Sequence, residues 1–284
     1  MTKSQPARAA GPRPMLSVAV TALKGGVGKS TTTLGLAGAA WERGLSTLVV
    51  DLDPQANTTA ALDPGEFHYS TNDVLADARP GVANDAVIRS GWGEGLDVIP
   101  SERALEHRAV PIGRDSAQRL RVALRGVVEN YDVVLIDCPP SLGELTRNAL
   151  AAVRLALVVT EPSFFSLPSA EQALDAISVV RSEANLGLRA AGILVNRARP
   201  STSEHALRIA ELRAAYGDLV FTAVIPERTA LQQAQGACVP VQAWHSPGAR
   251  EVVEAYEDIL DALLARDRES LGSRLSAQTE PEGT

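Results

Sequence analysis

The stretch "KGGVGKST" at residues 24–31 is the clearest candidate for chemistry in this chain. It contains Lys24 and Lys29, two of only three lysines, although the chain has 27 basic residues in total. Glycines lack a Cβ and therefore allow backbone angles at which consecutive N–H groups converge on an anion. Three glycines could do so here: Gly25, Gly26 and Gly28. A helix that begins near Lys29 would add its positive end, so the stretch predicts a phosphate site.

The polar residues at the end of this loop have expected roles. Lys29 would reach the outer phosphates of a nucleotide, and the hydroxyl of Ser30 would bind Mg²⁺. Thr31 is placed to cap an inner phosphate. The leading glycine of the usual pattern G-x-x-x-x-G-K-[ST] is absent, because position 23 is Leu23. The alternative is a glycine turn between strand and helix that binds no ligand.

Three aspartates at the ends of apolar runs could complete a nucleotide site. Asp137 ends the run "VVLID" and could hold magnesium through water, although an aspartate at a strand end is often only a helix cap. Asp51 and Asp53 stand two residues apart in "DLDPQANTT". Because Pro54 fixes an extended or turning backbone at Asp53, that carboxylate is well placed to orient an attacking water.

The order of apolar runs and helix-like segments predicts the architecture that must position these residues. Runs rich in Val, Ile and Leu are continuous rather than alternating, as in strands buried on both faces of a parallel sheet. They cover residues 16–23, 45–53, 95–101, 131–140, 155–162, 190–197 and 219–226. Helix-like segments occupy residues 29–43, 115–129, 141–153, 168–184, 202–216 and 249–265. The pattern predicts an α/β fold with a doubly wound, mostly parallel sheet, helices on both faces, and ligands beyond the carboxyl ends of the strands.

Composition favours one domain in a reducing, cytoplasmic setting. The sequence predicts a single domain at residues 16–267, preceded by a disordered arm at 1–15 and followed by a disordered tail at 268–284. Two distant cysteines suggest neither a disulfide framework nor a zinc site. The net charge of −7 argues against attraction of nucleic acid by the whole surface, but it allows a local basic patch.

These motifs together resemble the ParA/MinD family of P-loop ATPases, which carry a deviant Walker A motif. The matching segments are "KGGVGKSTT", "VVDLDPQANTT", "VVLIDCPPSLGELTRNAL", "ILVNR" and "IPERTALQQA". The likeness covers residues 16 to about 264, and "DLDPQAN" is closest to the ParA branch.

The resemblance implies that the chain binds ATP and Mg²⁺, forms a sandwich homodimer around ATP, and separates on hydrolysis. It assigns Lys24 to the partner's ATP across the dimer interface, Lys29 to the phosphates of its own ATP and Asp53 to the hydrolytic water. The implied metal ligands are Ser30, Asp51 and Asp137. The implied ATP-binding residues are Lys24, Gly25, Gly26, Val27, Gly28, Lys29, Ser30, Thr31, Asn196, Pro226 and Arg228.

The biological function that this resemblance favours is ParA-type partition. The ATP dimer would bind DNA without sequence preference in the nucleoid, and a ParB-like protein would stimulate slow hydrolysis. Residues 181–250 contain eight arginines and five acidic residues. The candidate DNA contacts are Arg197, Arg199, Arg208 and Arg228, although the text "IPERTAL" departs from the usual "IPRNVR" and weakens this assignment.

Three other outputs remain as alternatives. A MinD-like ATPase that cycles on membrane would need a basic amphipathic C-terminal helix, whereas residues 249–265 have an apolar stripe opposite an acidic face. An ATP-dependent metabolic synthase would need substrate-binding residues from the segment 54–94, where no convincing set is present. An iron–sulfur carrier would need more cysteines at cluster spacing.

Overall fold

The computed structural model describes residues 16–278 except residues 112, 114 and 200. The predicted arm at 1–15 and the end of the predicted tail at 279–284 lie outside the described residues.

Strands and helices alternate along most of the chain. The strands are β1 (Leu16–Thr21), β2 (Thr47–Asp51), β3 (Ile88–Arg89), β4 (Leu96–Ile99), β5 (Val133–Asp137), β6 (Leu155–Thr160) and β7 (Arg189–Val195). The helices are α1 (Lys29–Glu42), α2 (Asn57–Leu62), α3 (Thr71–Asp77), α4 (Arg119–Ala123), α5 (Glu144–Ala152), α6 (Ser166–Glu183), α7 (Ser203–Tyr216), α8 (Thr229–Gly236) and α9 (Pro247–Gln278).

The strands form one sheet in the order β3-β4-β2-β5-β1-β6-β7. All neighbours are parallel except β3, which pairs antiparallel with β4. Every residue of β1, β2, β5 and β6 is buried, and successive side chains enter opposite cores, as Ala19 and Val20 of β1 do. One core contains residues of α3 to α7, and the other contains residues of α1, α2, α8 and α9. The predicted doubly wound, mostly parallel α/β fold is confirmed.

The prediction of a last strand at residues 219–226 is wrong. The segment meets the edge of the sheet through isolated parallel bridges from Ile193 to Val220 and from Ala198 to Pro226, and through one hydrogen bond from the N–H of Ile225 to the carbonyl of Val195 at 2.9 Å. Between them, the carbonyl of Thr222 accepts a hydrogen bond from Arg213 rather than from the sheet. The segment is apolar because Phe221 and Ile225 are buried in the core, not because it is a regular strand.

The predicted helix at 115–129 is broken into short pieces. A 3₁₀ turn at Ser116–Gln118 leads into α4, and a second 3₁₀ turn follows at Val128–Asn130. Gly126 lies between them with φ of 80°, a left-handed conformation that a continuous α-helix excludes.

Helix α9 is longer than the sequence predicts and continues past residue 268, where the predicted disordered tail begins. Asp267 is almost fully buried and accepts two hydrogen bonds from Arg154, at 2.8 and 2.7 Å. This pair holds α9 against the residue that precedes β6, and the helix continues through residues 268–278.

The apolar stripe of α9 belongs to the core. Val252, Tyr256, Leu260 and Leu263 are fully buried against the sheet and α1. The stripe is therefore used in packing and does not face a membrane. Over the part of the chain that the structure describes, no helix combines the length and apolarity needed to cross a bilayer.

Candidate nucleotide site

The glycine-rich loop joins the end of β1 to the start of α1, as its sequence predicts. Gly26 and Gly28 adopt φ of 79° and 92°, which side chains rarely allow. At Gly28 a Cβ would also overlap the amide of Asn196. Gly28 directly precedes Lys29, the first residue of α1, so the loop leads into the positive end of a buried helix.

An open cavity of about 600 Å³ lies over this loop and the start of α1. Its lining includes Gly26, Gly28, Lys29, Ser30, Thr31 and Asp53. A second groove of about 230 Å³ adjoins it and is lined by Asn196, Arg197, Pro226 and Arg228, among others. Most of the predicted nucleotide-binding residues thus converge on two connected spaces. Together these spaces have the size range of small-molecule sites.

Lys29 stands at the base of the cavity with only 6% of its surface exposed. Burial lowers the pKa of its ammonium group, while the nearby carboxylate of Asp137 has the opposite effect. A buried ammonium group needs a negative partner. The arrangement therefore suits a lysine that binds a multiply charged anion.

Asp51 and Asp137 lie side by side because they end neighbouring strands in register. Both side chains are fully buried. Asp51 accepts hydrogen bonds from the backbone N–H and hydroxyl of Thr59, at 2.8 and 2.7 Å. Asp137 accepts one from the hydroxyl of Thr58 at 2.6 Å. Consecutive threonines of α2 therefore hold the two carboxylates.

The pKa values of this pair are raised chiefly by burial. Desolvation, and then the charge of Asp137, raises the pKa of Asp51 to about 7. Desolvation also raises the pKa of Asp137 to about 6, although hydrogen bonds from Thr58 and Ser30 and the charge of Lys29 lower it. A divalent cation nearby would favour the ionised form of both carboxylates.

The oxygen ligands available at this site fit magnesium better than they fit a metal ion that is enclosed by protein side chains alone. Within the described residues, no group of three His, Cys, Asp or Glu side chains could enclose a metal ion. Magnesium is commonly held by one or two carboxylates together with water and substrate phosphates. Ser30, Asp51 and Asp137 could supply the protein part of such a shell.

Asp53 lies at the cavity rather than beneath it. Its backbone N–H donates to Asp51 at 3.0 Å, and its carboxylate accepts from the backbone N–H of Gln55 at 2.9 Å. The hydroxyl of Ser101 donates to its carbonyl oxygen at 2.8 Å. These contacts fix the carboxylate at the cavity wall, where it can hold a water molecule.

Lys24 is separate from the cavity that contains Lys29. Its ammonium group forms an ion pair with Glu161 at the end of β6, and 48% of its side chain is exposed. Two other predicted ATP-binding residues of the loop also lie outside the cavity lining. Val27 is buried, and Gly25 packs near Pro140. The two lysines of the loop therefore occupy different environments, one buried at the cavity and one half-exposed beside Glu161.

Asn196 and Arg197 connect the end of β7 to the phosphate loop. The amide nitrogen of Asn196 donates to the carbonyl of Val27 at 2.7 Å, and Arg197 donates to that of Gly26 at 3.2 Å. Asn196 is almost fully buried, and its amide oxygen has no hydrogen-bond partner among the described residues. An orphaned acceptor beside the second groove matches a ligand with an N–H donor, such as the amino group of adenine.

The four arginines predicted to contact DNA are all paired with carboxylates of the same chain. Their pairs are Arg197 with Glu227 at 3.4 Å, Arg199 with Glu227, Arg208 with Glu204 at 2.7 Å and Glu211 at 2.9 Å, and Arg228 with Glu251. Arg199 and Arg197 lower the pKa of Glu227, which therefore stays ionised. These arginines do not form a surface of unpaired positive charge.

Comparison with known proteins supports an ATPase assignment. A family model described as an AAA domain matches residues 15–190. The chromosome partitioning protein ParA of Caulobacter vibrioides is 34% identical over 264 residues, which cover 90% of this chain and 96% of that protein. The sporulation initiation inhibitor protein Soj of Bacillus subtilis is 33% identical over 254 residues, covering 87% and 98%. The chain belongs to the ParA/MinD family of ATPases.

A solved structure outside the partition proteins shares the fold of this family member. Cobyrinic acid a,c-diamide synthase from Mycobacterium smegmatis, crystallised with ADP and magnesium, superposes with a TM-score of 0.74 at 29% identity. The superposition covers 89% of this chain and 96% of that one.

Several site residues of this ParA/MinD family member are not identified by the sequence reasoning. Thr58 and Thr59 hold the two buried aspartates, and they stand in the quoted text "DLDPQANTT" directly after those residues. Gln235 and Cys238 line the cavity from the end of α8. The sequence does not mark Gln235 and Cys238, because a short helix that ends in uncharged residues contains no recognisable motif.

Proposed function

We propose that this chain is a ParA-type partition ATPase, an ATP-dependent switch that binds DNA as a dimer and releases it on hydrolysis. One observation carries the proposal. A glycine loop, a buried lysine and the carboxylate of Asp53 line one cavity, a buried carboxylate pair lies beside that lysine, and the second loop lysine stands outside the cavity. The relative named as a chromosome partitioning protein supports the output.

Bound ATP–Mg²⁺ would supply the phosphoryl group that passes to water, with the metal neutralising developing charge. Lys29 and the loop N–H groups would hold the phosphates. Ser30, Asp51 and Asp137 would hold the metal ion, directly or through water. Asp53 would orient the attacking water from its fixed position at the cavity wall.

The position of Lys24 supports a role in a homodimer. Its ion pair with Glu161 is partly exposed, with 48% of the Lys24 side chain and 25% of the Glu161 side chain accessible, and ion pairs at a protein surface contribute little free energy. The side chain can therefore leave Glu161 at small cost. In a sandwich homodimer it would reach the phosphates bound by the second copy.

DNA binding would be electrostatic and independent of sequence, and a ParB-like protein would stimulate turnover at the nucleoid. Because Glu227 pairs with both Arg197 and Arg199, it limits the positive charge that this edge presents to phosphates. The phosphate backbone supplies most of the affinity in such complexes, which makes them sensitive to salt.

The proposal is tested by fluorescence anisotropy with two labelled duplexes of unrelated sequence. The ATP–Mg²⁺ form should bind both equally and lose affinity with added salt, whereas the ADP form should bind neither. Glu227→Gln should strengthen binding because it frees two arginines. Glu254→Gln, which removes a charge from an exposed glutamate on α9, is the matched control. Equal gains from both variants would show that Arg197 and Arg199 do not contact DNA.

A metabolic synthase is the second candidate, because the solved relative is named as a cobyrinic acid a,c-diamide synthase. Such an enzyme would hydrolyse ATP in step with amide formation on a carboxylate and would not respond to DNA. A wild-type protein that binds ATP but shows no ATP-dependent DNA binding would overturn the partition proposal and favour the synthase.

A further inference from the structure

We infer that Gln235 holds the ribose of the bound nucleotide and makes the site prefer ribonucleotides over deoxynucleotides. The inference rests on the proposed function insofar as the ligand is a nucleoside triphosphate. It assigns a specificity role to a residue near the end of α8 that lies outside the glycine loop.

The position of Gln235 between the two spaces is the first observation. The residues that line both the cavity and the groove are Gly26, Gly28, Thr31 and Gln235. Phosphates would occupy the cavity above Lys29, and the base would occupy the groove beside Asn196. The sugar that joins them must therefore pass the four shared residues, and two of these are glycines without side chains.

The hydrogen-bond polarity of Gln235 is the second observation. Its amide nitrogen donates to the hydroxyl oxygen of Thr31 at 3.1 Å. A hydroxyl has a single hydrogen, so a Thr31 that donates to a phosphate must accept from Gln235. The amide oxygen of Gln235 has no partner among the described residues and remains an acceptor. Phosphate oxygens offer no donor at neutral pH, whereas ribose hydroxyls do.

The backbone that carries Gln235 is held in place. Ala230 and Ala234 on the same helix are buried in the core, which fixes α8 against α1 and α9. The carbonyl of Gln235 accepts from the N–H of Cys238 at 3.1 Å, and Cys238 adopts a left-handed φ of 51° that ends this segment. A side chain on a fixed element can select one orientation of a ligand with little loss of entropy.

The helix also supplies a matched control. Gln233 is exposed and lines neither space, although it has the same side chain on the same helix. Gln233→Leu therefore reports the general cost of placing leucine on α8. Gln235→Glu retains an acceptor oxygen at residue 235. It keeps the inference testable if Gln235→Leu fails to fold.

The experiment is isothermal titration calorimetry with ATP, 2′-deoxy-ATP and 3′-deoxy-ATP in the presence of Mg²⁺. Wild type and Gln233→Leu should bind ATP about 3- to 10-fold more tightly than at least one deoxy analogue, the range expected for one hydrogen bond. Gln235→Leu should bind all three within about twofold, as expected once that bond is lost. Gln235→Glu should bind all three more weakly, because it adds negative charge near phosphates, but it should keep the wild-type preference.

The outcomes separate this inference from the proposed function. Equal wild-type affinity for all three nucleotides, or an unchanged preference in Gln235→Leu, would overturn the role of Gln235 while leaving the site an ATP site. A wild-type protein that binds none of the three would instead overturn the nucleotide-switch proposal.

Discussion

The carboxylates of Asp51 and Asp137 lie side by side because strands β2 and β5 are in register. Both are fully buried, and burial is the main cause of their raised pKa values. Lys29 is the buried cation next to Asp137, but its own pKa is lowered by desolvation. Two acids beside one weakly stabilised cation leave an excess of negative charge, which a magnesium ion would relieve.

The substitution Asp137→Asn tests this excess of charge. The partners of Asp137 are the hydroxyls of Thr58, Thr33 and Ser30, and hydroxyls can accept as well as donate. We expect the nucleotide-free variant to gain about 1 kcal/mol, which would raise its melting temperature by about 2 °C in differential scanning calorimetry. Mg²⁺-dependent ATP binding should weaken at the same time. A melting temperature below that of the wild type would show that the pair is not strained.

A second test at the residue scale concerns the ion pair that holds Lys24 away from the cavity. Glu161→Gln removes the charge of its partner, so Lys24 becomes free to reach a second copy. A surface pair contributes at most about 1 kcal/mol, and the homodimer breaks one pair in each copy, so we expect ATP-dependent dimerisation at up to about 30-fold lower protein concentration.

Sedimentation velocity in ATP–Mg²⁺ would measure this shift. Glu171→Gln is the control, because Glu171 is an exposed acid on the neighbouring helix α6. Equal shifts in both variants, or none in Glu161→Gln, would mean that the Lys24–Glu161 pair does not oppose association.

At the scale of elements, the sequence predicts correctly those helices, strands and loops whose packing or backbone geometry imposes a simple residue pattern. Strands buried on both faces must be apolar throughout, so β1, β2, β5 and β6 are visible as continuous runs. The glycine loop is visible because its backbone angles exclude most other residues. The segment 219–226 has the same apolar pattern as a strand but is an interrupted edge, since burial alone does not require pairing. Short elements such as α8 are missed because few turns give little periodicity.

The packing of α1 against α9 depends on glycines inside α1. A Cβ at Gly35 would overlap the ring of Tyr256, which is fully buried on α9. The hydroxyl of Tyr256 donates to the carbonyl of Thr31 at 3.2 Å, so this contact also supports the first turn of the phosphate-binding helix. The close approach of the two helices therefore positions the site.

Gly35→Ala should force these helices apart. Overpacking of a core costs about 1–3 kcal/mol, which corresponds to a fall in melting temperature of roughly 3–10 °C. Gly236→Ala is the matched control, because a Cβ there meets nothing within 4 Å, and it should leave stability unchanged or slightly raised. Thermal unfolding followed by circular dichroism would decide, and equal melting temperatures for the two variants would contradict tight packing at Gly35.

At the scale of the whole molecule, the charges favour a switch that uses two copies. The net charge is −7, and the candidate arginines are each compensated within the chain. A single copy therefore presents little positive surface to DNA. The proposed dimer would place two such edges on one duplex, and effective concentration would then raise the affinity without any new contact. Nucleotide-dependent dimerisation would thus control DNA binding.

Lys24 and Asp53 are two polar residues that we propose to act on ATP from different places. Lys24 lies outside its own cavity, so Lys24→Ala should bind ATP with near wild-type affinity but remain monomeric. Asp53 stands at the cavity wall, so Asp53→Ala should bind ATP, dimerise and fail to hydrolyse it. If release requires hydrolysis, as we propose, the dimer of Asp53→Ala should stay on DNA. Size-exclusion chromatography with light scattering, together with phosphate release, measures both. A dimeric Lys24→Ala, or an Asp53→Ala with wild-type turnover, would contradict these assignments.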